Sequence, residues 1–186
     1  MQLFRLEVIF GPLNAERKRI GRNIMGMRQL KDGNGAKPRS FTDRLWGGVN
    51  MPSNFSGGCA CRAIRYQCTA EPFYMGNCHC RDCQQATGSA YFPAVVVSID
   101  KFTLTEGEPT WYESKADRGH TMGRAFCNKC GSPVLLRNGA NETVVVLYAG
   151  SLDDPSWYKP KRDIYTKSAQ PWALMHPDTE KHEAMP

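Results

Sequence analysis

The chain has 186 residues, of which 41% are hydrophobic, and a formal net charge of +6. This length predicts one domain, alone or with a tail, and the lack of any run of ~18 apolar residues argues against a membrane-spanning helix. Arg5 and Glu7 interrupt the apolar stretch that a signal peptide would need, so we expect an intracellular, cytoplasmic protein. In a reducing compartment, the eight cysteines favour metal binding over disulfides.

The positive charge is confined to residues 1–50, which hold ten Lys and Arg residues against four Asp and Glu residues. Residues 51–186 hold 14 of each and are balanced. The stretch 31–40 is rich in Gly, Pro and charge, as disordered linkers are. We therefore expect residues 1–50 to be a disordered extension, or upstream codons ahead of a start at Met51. A basic arm for an acidic partner and an organelle-targeting peptide remain alternatives.

Residues 51–186 predict a mainly β domain, because short alternating or apolar segments follow one another at close spacing. Residues 57–69 alternate and predict a single strand. On that strand Cys59 and Cys61 would share one face, and Cys68 would lie on the other as a core residue.

The remaining predicted elements are short. They are an extended segment at 72–78, one or two helical turns at 80–87 ending at Gly88, and strands at 91–98, 102–105, 110–113, 122–126, 133–137 and 143–148. The last two strands flank Asn138-Gly139, which predicts a hairpin with a five-residue loop.

Seven of the eight cysteines fall into three tight clusters. Each cluster brings two or three sulfurs within reach of one ion, a pattern that random placement rarely produces. The clusters are Cys59-x-Cys61, Cys78-x-Cys80-x-x-Cys83 and Cys127-x-x-Cys130.

The first and third clusters predict one structural zinc site. Cys127 and Cys130 are followed by Gly131, which suits the tight turn of a metal knuckle. Together with Cys59 and Cys61 they supply the four thiolates of a closed tetrahedral site.

The middle cluster predicts a second, reactive zinc. Its three sulfurs leave one coordination position open, as in catalytic sites. The alternative is that His79 or His120 fills the fourth position and makes this site structural as well. We expect His79 to be packed or hydrogen-bonded instead, because it lies between two ligands and should point away from them.

The runs SGGCACRAIRY, NCHCRDCQQATGSAYF, FCNKCGSP and AGSLDDP resemble the glutathione-dependent formaldehyde-activating enzyme family, which includes centromere protein V. The resemblance spans roughly residues 53–177 and implies an Mss4-like fold of several short coiled β-sheets stapled by two zinc ions per chain. One departure is Arg62, where the family usually has Gly. The resemblance assigns the ligands as above, with Cys59, Cys61, Cys127 and Cys130 on a structural zinc and Cys78, Cys80 and Cys83 on a catalytic zinc.

The resemblance implies a carbon–sulfur lyase-type activity that joins formaldehyde to glutathione, giving S-hydroxymethylglutathione, or reverses this reaction. Three thiolates leave Zn²⁺ with a net charge of about −1, which favours binding a substrate thiolate over activating water. A glutathione substrate carries two carboxylates, for which Arg81 inside the reactive cluster is the first candidate. Other basic residues near the clusters are Arg62, Arg65, Lys129 and Arg137.

We expect the partner to be a small-molecule thiol, with no membrane and no nucleic acid involved. The rival interpretation is a zinc-stabilised binding module without catalysis, in which the basic tail engages nucleic acid or another acidic partner. Three sulfurs in the middle cluster favour the enzyme, whereas the charge of residues 1–50 favours the module.

Overall fold

The computed structural model describes residues 51–186, and the predictions made for residues 1–50 lie outside this range. The described chain forms eleven strands and one short α-helix, with three single-turn 3₁₀ segments between them. Their bounds are β1 Phe55–Gly58, β2 Arg65–Cys68, β3 Tyr74–Cys78, α1 Arg81–Thr87, β4 Phe92–Ser98, β5 Phe102–Glu106, β6 Thr110–Lys115, β7 Thr121–Phe126, β8 Pro133–Asn138, β9 Asn141–Tyr148, β10 Arg162–Ile164 and β11 Glu180–His182.

The strands form two sheets, which confirms the mainly β prediction. The smaller sheet has the order β1-β2-β5 and is antiparallel. The larger sheet has the order β11-β10-β3-β4-β9-β8-β7-β6. It is antiparallel except at one edge, where β10 runs parallel to both β3 and β11. No helix among residues 51–186 is both long and apolar enough to cross a membrane.

The larger sheet separates two hydrophobic cores. Because successive side chains of a strand face opposite sides, Val95 and Val97 of β4 enter the larger core while Phe92 and Ala94 enter the smaller one. The three-stranded sheet packs on the first side, where its Tyr66 joins the larger core. The smaller core lies on the opposite side and contains two of the clustered cysteines, Cys78 and Cys83.

The predicted single strand at 57–69 is wrong. The segment forms two antiparallel strands, β1 and β2, with a turn between them. In this turn the Arg62 N–H donates to the Cys59 carbonyl over 2.9 Å, and the Cys59 N–H donates to the Ile64 carbonyl over 3.1 Å. Cys59 and Cys61 are therefore turn residues and not neighbours on one strand face. Cys68 lies in β2 and is fully buried, as predicted.

The turn explains why a glycine would be expected at position 62, where this chain has Arg. Arg62 has a φ of +63°, a left-handed conformation that glycine adopts at little cost and other residues resist. A glycine at this position would suit the turn without strain, whereas Arg62 adopts a left-handed backbone conformation that is unfavourable for it.

Most other elements agree with the sequence predictions. The helix at 80–87 is α1, and it ends at Gly88, which has a φ of +63°. The hairpin around Asn138-Gly139 is β8–β9, but its loop is shorter than predicted. Asn138 pairs with Asn141, so two residues and not five connect the strands. Strands β10 and β11 were not predicted.

Candidate metal centres and active site

The first and third cysteine clusters meet in space. The sulfur atoms of all four cysteines lie within 4.8 Å of one another. Cys59 Sγ lies 3.6 Å from Cys61 Sγ, which in turn lies 3.7 Å from Cys127 Sγ. Cys59 and Cys127 are buried, whereas Cys61 and Cys130 are exposed. From here on, "the first cluster" means these four residues together, and no longer Cys59 and Cys61 alone.

Backbone turns aim these sulfurs at one point. The Gly131 N–H donates to the Cys127 carbonyl over 2.8 Å, and the Cys127 N–H donates to the Ser132 carbonyl over 3.0 Å. Gly131 has a φ of +72°, which the turn requires and glycine supplies without strain. The Ala60 N–H donates to Ser132 Oγ over 3.2 Å and joins this turn to the one between β1 and β2. The predicted knuckle is therefore present.

The geometry of the first cluster fits a tetrahedral metal ion. A regular tetrahedron of thiolates around zinc, with metal–sulfur distances of ~2.3 Å, has sulfur–sulfur edges of roughly 3.8 Å. The two measured sulfur–sulfur contacts, 3.6 and 3.7 Å, are close to that edge and far from the length of a disulfide. A four-sulfur donor set is also the one that structural zinc sites prefer.

The middle cysteines form a second cluster, Cys78, Cys80 and Cys83, whose sulfur atoms also lie within 4.8 Å of one another. Cys78 ends β3, Cys80 precedes α1, and Cys83 lies on the first turn of α1. Within residues 51–186, no ligand atom of a fourth Cys, His, Asp or Glu joins them. The structure thus brings together the three predicted sulfurs and adds no fourth ligand of these types.

The three thiols of the second cluster hold their protons very unequally. Hydrogen bonds from Cys78 and Cys83 lower the pKa of Cys80, and the positive charge of Arg124 adds to this effect. Hydrogen bonds to Cys78 and Cys80 raise the pKa of Cys83 far above that of a free thiol. Crowded thiols share negative charge poorly, and a divalent cation among them would relieve the repulsion. The donor set therefore fits a soft metal ion.

His79 points away from the second cluster, as predicted. Its side chain is 1% exposed, and its Nε2 lies 2.8 Å from Oδ1 of Asp163. Burial opposes ionisation of Asp163, but hydrogen bonds from His79, Thr179 and Asn77 outweigh it and lower the carboxyl pKa. Asp163 is therefore a carboxylate, Nε2 of His79 donates to it, and His79 does not act as a ligand.

Asp163 is a residue that the sequence did not reveal. It lies in β10, which pairs with β3 so that Ile164 faces Cys78 in register. The His79 N–H also donates to the Ile164 carbonyl over 2.9 Å. A three-residue strand has no periodicity that a sequence could display, so only the fold brings Asp163 to the second cluster.

The predicted carboxylate-binding arginine, Arg81, begins α1 and is exposed. Its guanidinium donates to Oε1 of Gln84, a buried residue whose Nε2 donates to the His79 carbonyl over 2.6 Å. Arg81 thus lies beside the second cluster and is engaged with the helix. Its predicted role in substrate binding stays a prediction.

The other four basic candidates have different surroundings. Arg65 forms an ion pair with Asp153, and Arg137 stacks over the Trp111 ring with its guanidinium carbon 4.7 Å from the centroid. Lys129 is exposed in the knuckle turn. Arg62 and Arg65 both line a cavity of about 550 Å³.

Two cavities flank α1. The larger has a volume of about 550 Å³, within the range of ligand sites. It is lined by side chains that include Arg62, Ser89, Tyr91 and Tyr148. The smaller has a volume of about 190 Å³ and also touches Tyr148. The larger cavity touches Cys59 of the first cluster. Both cavities also touch the end of α1, the helix that carries Cys83 of the second cluster, through Thr87 and Ala86.

The smaller cavity contains a basic residue that the sequence analysis overlooked, Arg124 of β7. On β7, Met122 lies two residues from Arg124 and packs against the smaller core. Side chains two apart on a strand face the same side, so Arg124 stands on the face of the sheet that bears the second cluster. The sequence of residues 121–126 indicates that Arg124 shares a strand face with Met122. Only the fold shows that this face is the one that meets the cysteines.

Comparisons with known proteins identify the family of the chain. The chain matches the family of the glutathione-dependent formaldehyde-activating enzyme over residues 54–168. The chain belongs to this family. A solved structure of a Rhodobacter sphaeroides protein aligns at 18% identity with a TM-score of 0.44, covering 53% of this chain and 87% of that one. Among curated proteins there was no match. The matched residues include all seven cysteines of the two clusters.

Proposed function

We propose that this chain is a zinc-dependent carbon–sulfur lyase-type enzyme acting on the adduct of a thiol and an aldehyde, such as S-hydroxymethylglutathione. The observation that carries the proposal is the second cluster, where three sulfurs converge and no fourth Cys, His, Asp or Glu ligand from residues 51–186 joins them. Three protein ligands and one open position are typical of reactive zinc sites. Family membership supports glutathione and formaldehyde as the substrates.

The two clusters would have different tasks. Cys59, Cys61, Cys127 and Cys130 would hold a structural zinc that ties two distant turns together. The three sulfurs of the second cluster would hold the catalytic zinc. The chain would therefore bind two zinc ions.

The reaction forms one bond and moves one proton. The sulfur of the thiol bonds to the carbonyl carbon, the C=O electron pair moves to the oxygen, and the thiol proton ends on that oxygen. The reverse reaction breaks the carbon–sulfur bond and returns the thiol and the aldehyde. When bound at the second cluster, zinc would favour the thiolate form of a substrate thiol at neutral pH.

Residues of the chain would bind the substrate and keep water from it. Burial raises the pKa of Tyr148 to about 12, so its phenol stays neutral and can donate a hydrogen bond in the cavity wall. Arg81 is a candidate for contact with a substrate carboxylate. Zinc-bound thiolates suit a reducing compartment, and we propose a cytoplasmic location for this chemistry.

Cobalt substitution tests the open coordination position directly. Adding glutathione to the cobalt-loaded protein should strengthen the sulfur-to-metal charge-transfer band, and the zinc form should speed glutathione–formaldehyde exchange observed by NMR. Cys83→Ser should abolish both effects. An unchanged cobalt spectrum at saturating glutathione would mean that the protein itself fills the fourth position. The zinc-stabilised binding module would then be the better interpretation.

A further inference from the structure

Arg124 lies on the sheet face that bears the second cluster, in β7, the second strand from one edge of the larger sheet. In β7 it pairs with Tyr112 of β6 on one side and with Leu136 of β8 on the other. Leu136 is a member of the smaller core, together with Cys78 and Cys83. The guanidinium therefore extends from a paired strand, and not from a loop, on the same face of the sheet as the smaller core.

The polar atoms of Arg124 are only partly used by the protein. Its Nη1 donates to Oγ of Ser114 over 2.7 Å, while its Nε is buried and makes no hydrogen bond within the described chain. Among residues 51–186, Arg124 also forms no ion pair. A buried donor without an acceptor is unfavourable, so an anionic ligand would supply an interaction that the fold leaves unmade.

The surroundings of Arg124 form a small cleft with a single positive charge. The cleft of about 190 Å³ lies between Ala86 of α1 and Tyr112 of β6, and Tyr148 forms part of its floor. Tyr148 also lines the larger cavity and packs in the same core as Cys83. Ala86, which lines the cleft, lies one helical turn after Cys83 on α1, so a ligand whose sulfur lies at the second cluster can extend another part of itself along the helix to Arg124.

We propose that Arg124 binds a carboxylate of the thiol substrate and thereby makes the site selective for anionic thiol peptides over neutral thiols. This inference rests on the proposed function, because it requires the thiol to enter the second cluster. A planar guanidinium matches a carboxylate in two parallel hydrogen bonds, which a lysine could not offer. Arg81 is the weaker candidate, since its guanidinium already donates to Gln84.

The test compares two thiols and measures binding by calorimetry with the zinc-loaded full chain. Glutathione carries two carboxylates, and 2-mercaptoethanol carries none. Arg124→Gln should weaken glutathione binding roughly ten- to hundredfold, as expected for loss of a charge-assisted hydrogen bond. It should leave 2-mercaptoethanol binding within about twofold. Arg81→Gln shows which arginine dominates, and Lys101→Gln removes an exposed charge in the 3₁₀ segment Ile99–Lys101 as the control.

A second variant tests the same contact if Arg124→Gln fails to fold. Ala86 is exposed on α1 and lines the cleft, so Ala86→Glu should place a negative charge beside Arg124 without disturbing the core. We expect it to weaken glutathione binding at least fivefold, whereas Ala86→Gln should not.

The outcomes separate the inference from the function on which it rests. Equal losses for both thiols, or no loss for either in both cleft variants, would overturn the role of Arg124 while the proposed function stands. If the wild-type chain binds neither thiol, the proposed function fails and the inference fails with it. A selective loss of glutathione in Arg124→Gln and Ala86→Glu supports both.

Discussion

Nε2 of His79 donates a hydrogen bond to Oδ1 of Asp163 over 2.8 Å, between residues 84 positions apart in the chain. His79 lies between two sulfurs of the second cluster, and Asp163 lies on a parallel edge strand. Asn77 Nδ2 donates to the same carboxylate over 3.0 Å, and Thr179 Oγ1 donates to its other oxygen. One buried carboxylate thus anchors the segment that presents the candidate ligands.

Replacing Asp163 should therefore destabilise the domain. Asp163→Ala leaves the buried donors of His79 and Asn77 without an acceptor, whereas Thr179 Oγ1 can still donate to the His176 carbonyl. We expect a loss of about 3 kcal/mol or more in the free energy of unfolding. Asp163→Asn keeps one acceptor oxygen and should lose less. Urea unfolding at a fixed zinc concentration measures both variants. If Asp163→Ala stayed within about 0.5 kcal/mol of the wild type, the hydrogen bonds to Asp163 would not contribute to the stability of the domain.

The two clusters should respond differently to the loss of one ligand. Cys127→Ser should unfold the domain, because a structural zinc contributes folding free energy directly. Cys83→Ser should leave a folded domain that binds one zinc in place of two. Circular dichroism and metal analysis by mass spectrometry check the pair. Equal unfolding of both variants would contradict the division into structural and catalytic sites.

The sequence revealed which cysteines lie together better than it revealed their setting. Cysteine spacing reports on local turns, so each cluster was recognised, and the need for four sulfurs in a closed site predicted the pairing of Cys59 and Cys61 with Cys127 and Cys130. The alternation of residues 57–69 was misleading, because small residues such as Ala60 alternate in a turn as readily as in a strand. Asp163 and Arg124 could not be placed, since their proximity to the cysteines depends on strand pairing between distant segments.

Arg62 offers a test of backbone strain in the first cluster. Its φ of +63° is especially unfavourable for β-branched residues. Arg62→Val should destabilise the domain by about 1–2 kcal/mol. Arg62→Gly should stay within about 0.5 kcal/mol of the wild type, because relief of strain offsets the greater freedom of the unfolded chain.

Thermal denaturation of the zinc-loaded variants measures this effect. Arg118→Val serves as the control, since Arg118 is exposed in a turn and has an ordinary negative φ. A loss in Arg118→Val as large as in Arg62→Val would attribute the effect to side-chain type and not to the left-handed backbone.

The ion pair of Arg65 and Asp153 should make stability depend on acidity. Hydrogen bonds from Arg65 and Ser56 lower the pKa of Asp153 in the folded state. The stabilisation is therefore complete above the unfolded pKa of ~3.9 and is lost as pH falls through the lower folded value. The difference in melting temperature between wild type and Asp153→Asn should be constant from about pH 7 to 5 and shrink towards pH 3. A difference that stayed constant at pH 3 would show that the carboxylate charge is not involved.

The proposed domain boundary at Met51 can be tested by truncation. The Met51 side chain is only 6% exposed and belongs to the larger core, so a variant beginning at this residue keeps the contact. We expect the same melting temperature and the same glutathione binding as for the full chain. A fall of several degrees on truncation would show that residues 1–50 contribute to stability.

The separation of the ligands along the chain sets an order of metal capture during synthesis. The second cluster spans six consecutive residues, 78–83, so its three sulfurs can converge on an ion while the chain is still unfolded. Cys61 and Cys127 of the first cluster are 66 positions apart and converge only when the strands have assembled. An ion bound equally by the unfolded chain adds little to stability. A nascent chain would thus bind an ion at the second cluster early. Binding of an ion at the first cluster would mark the completion of folding.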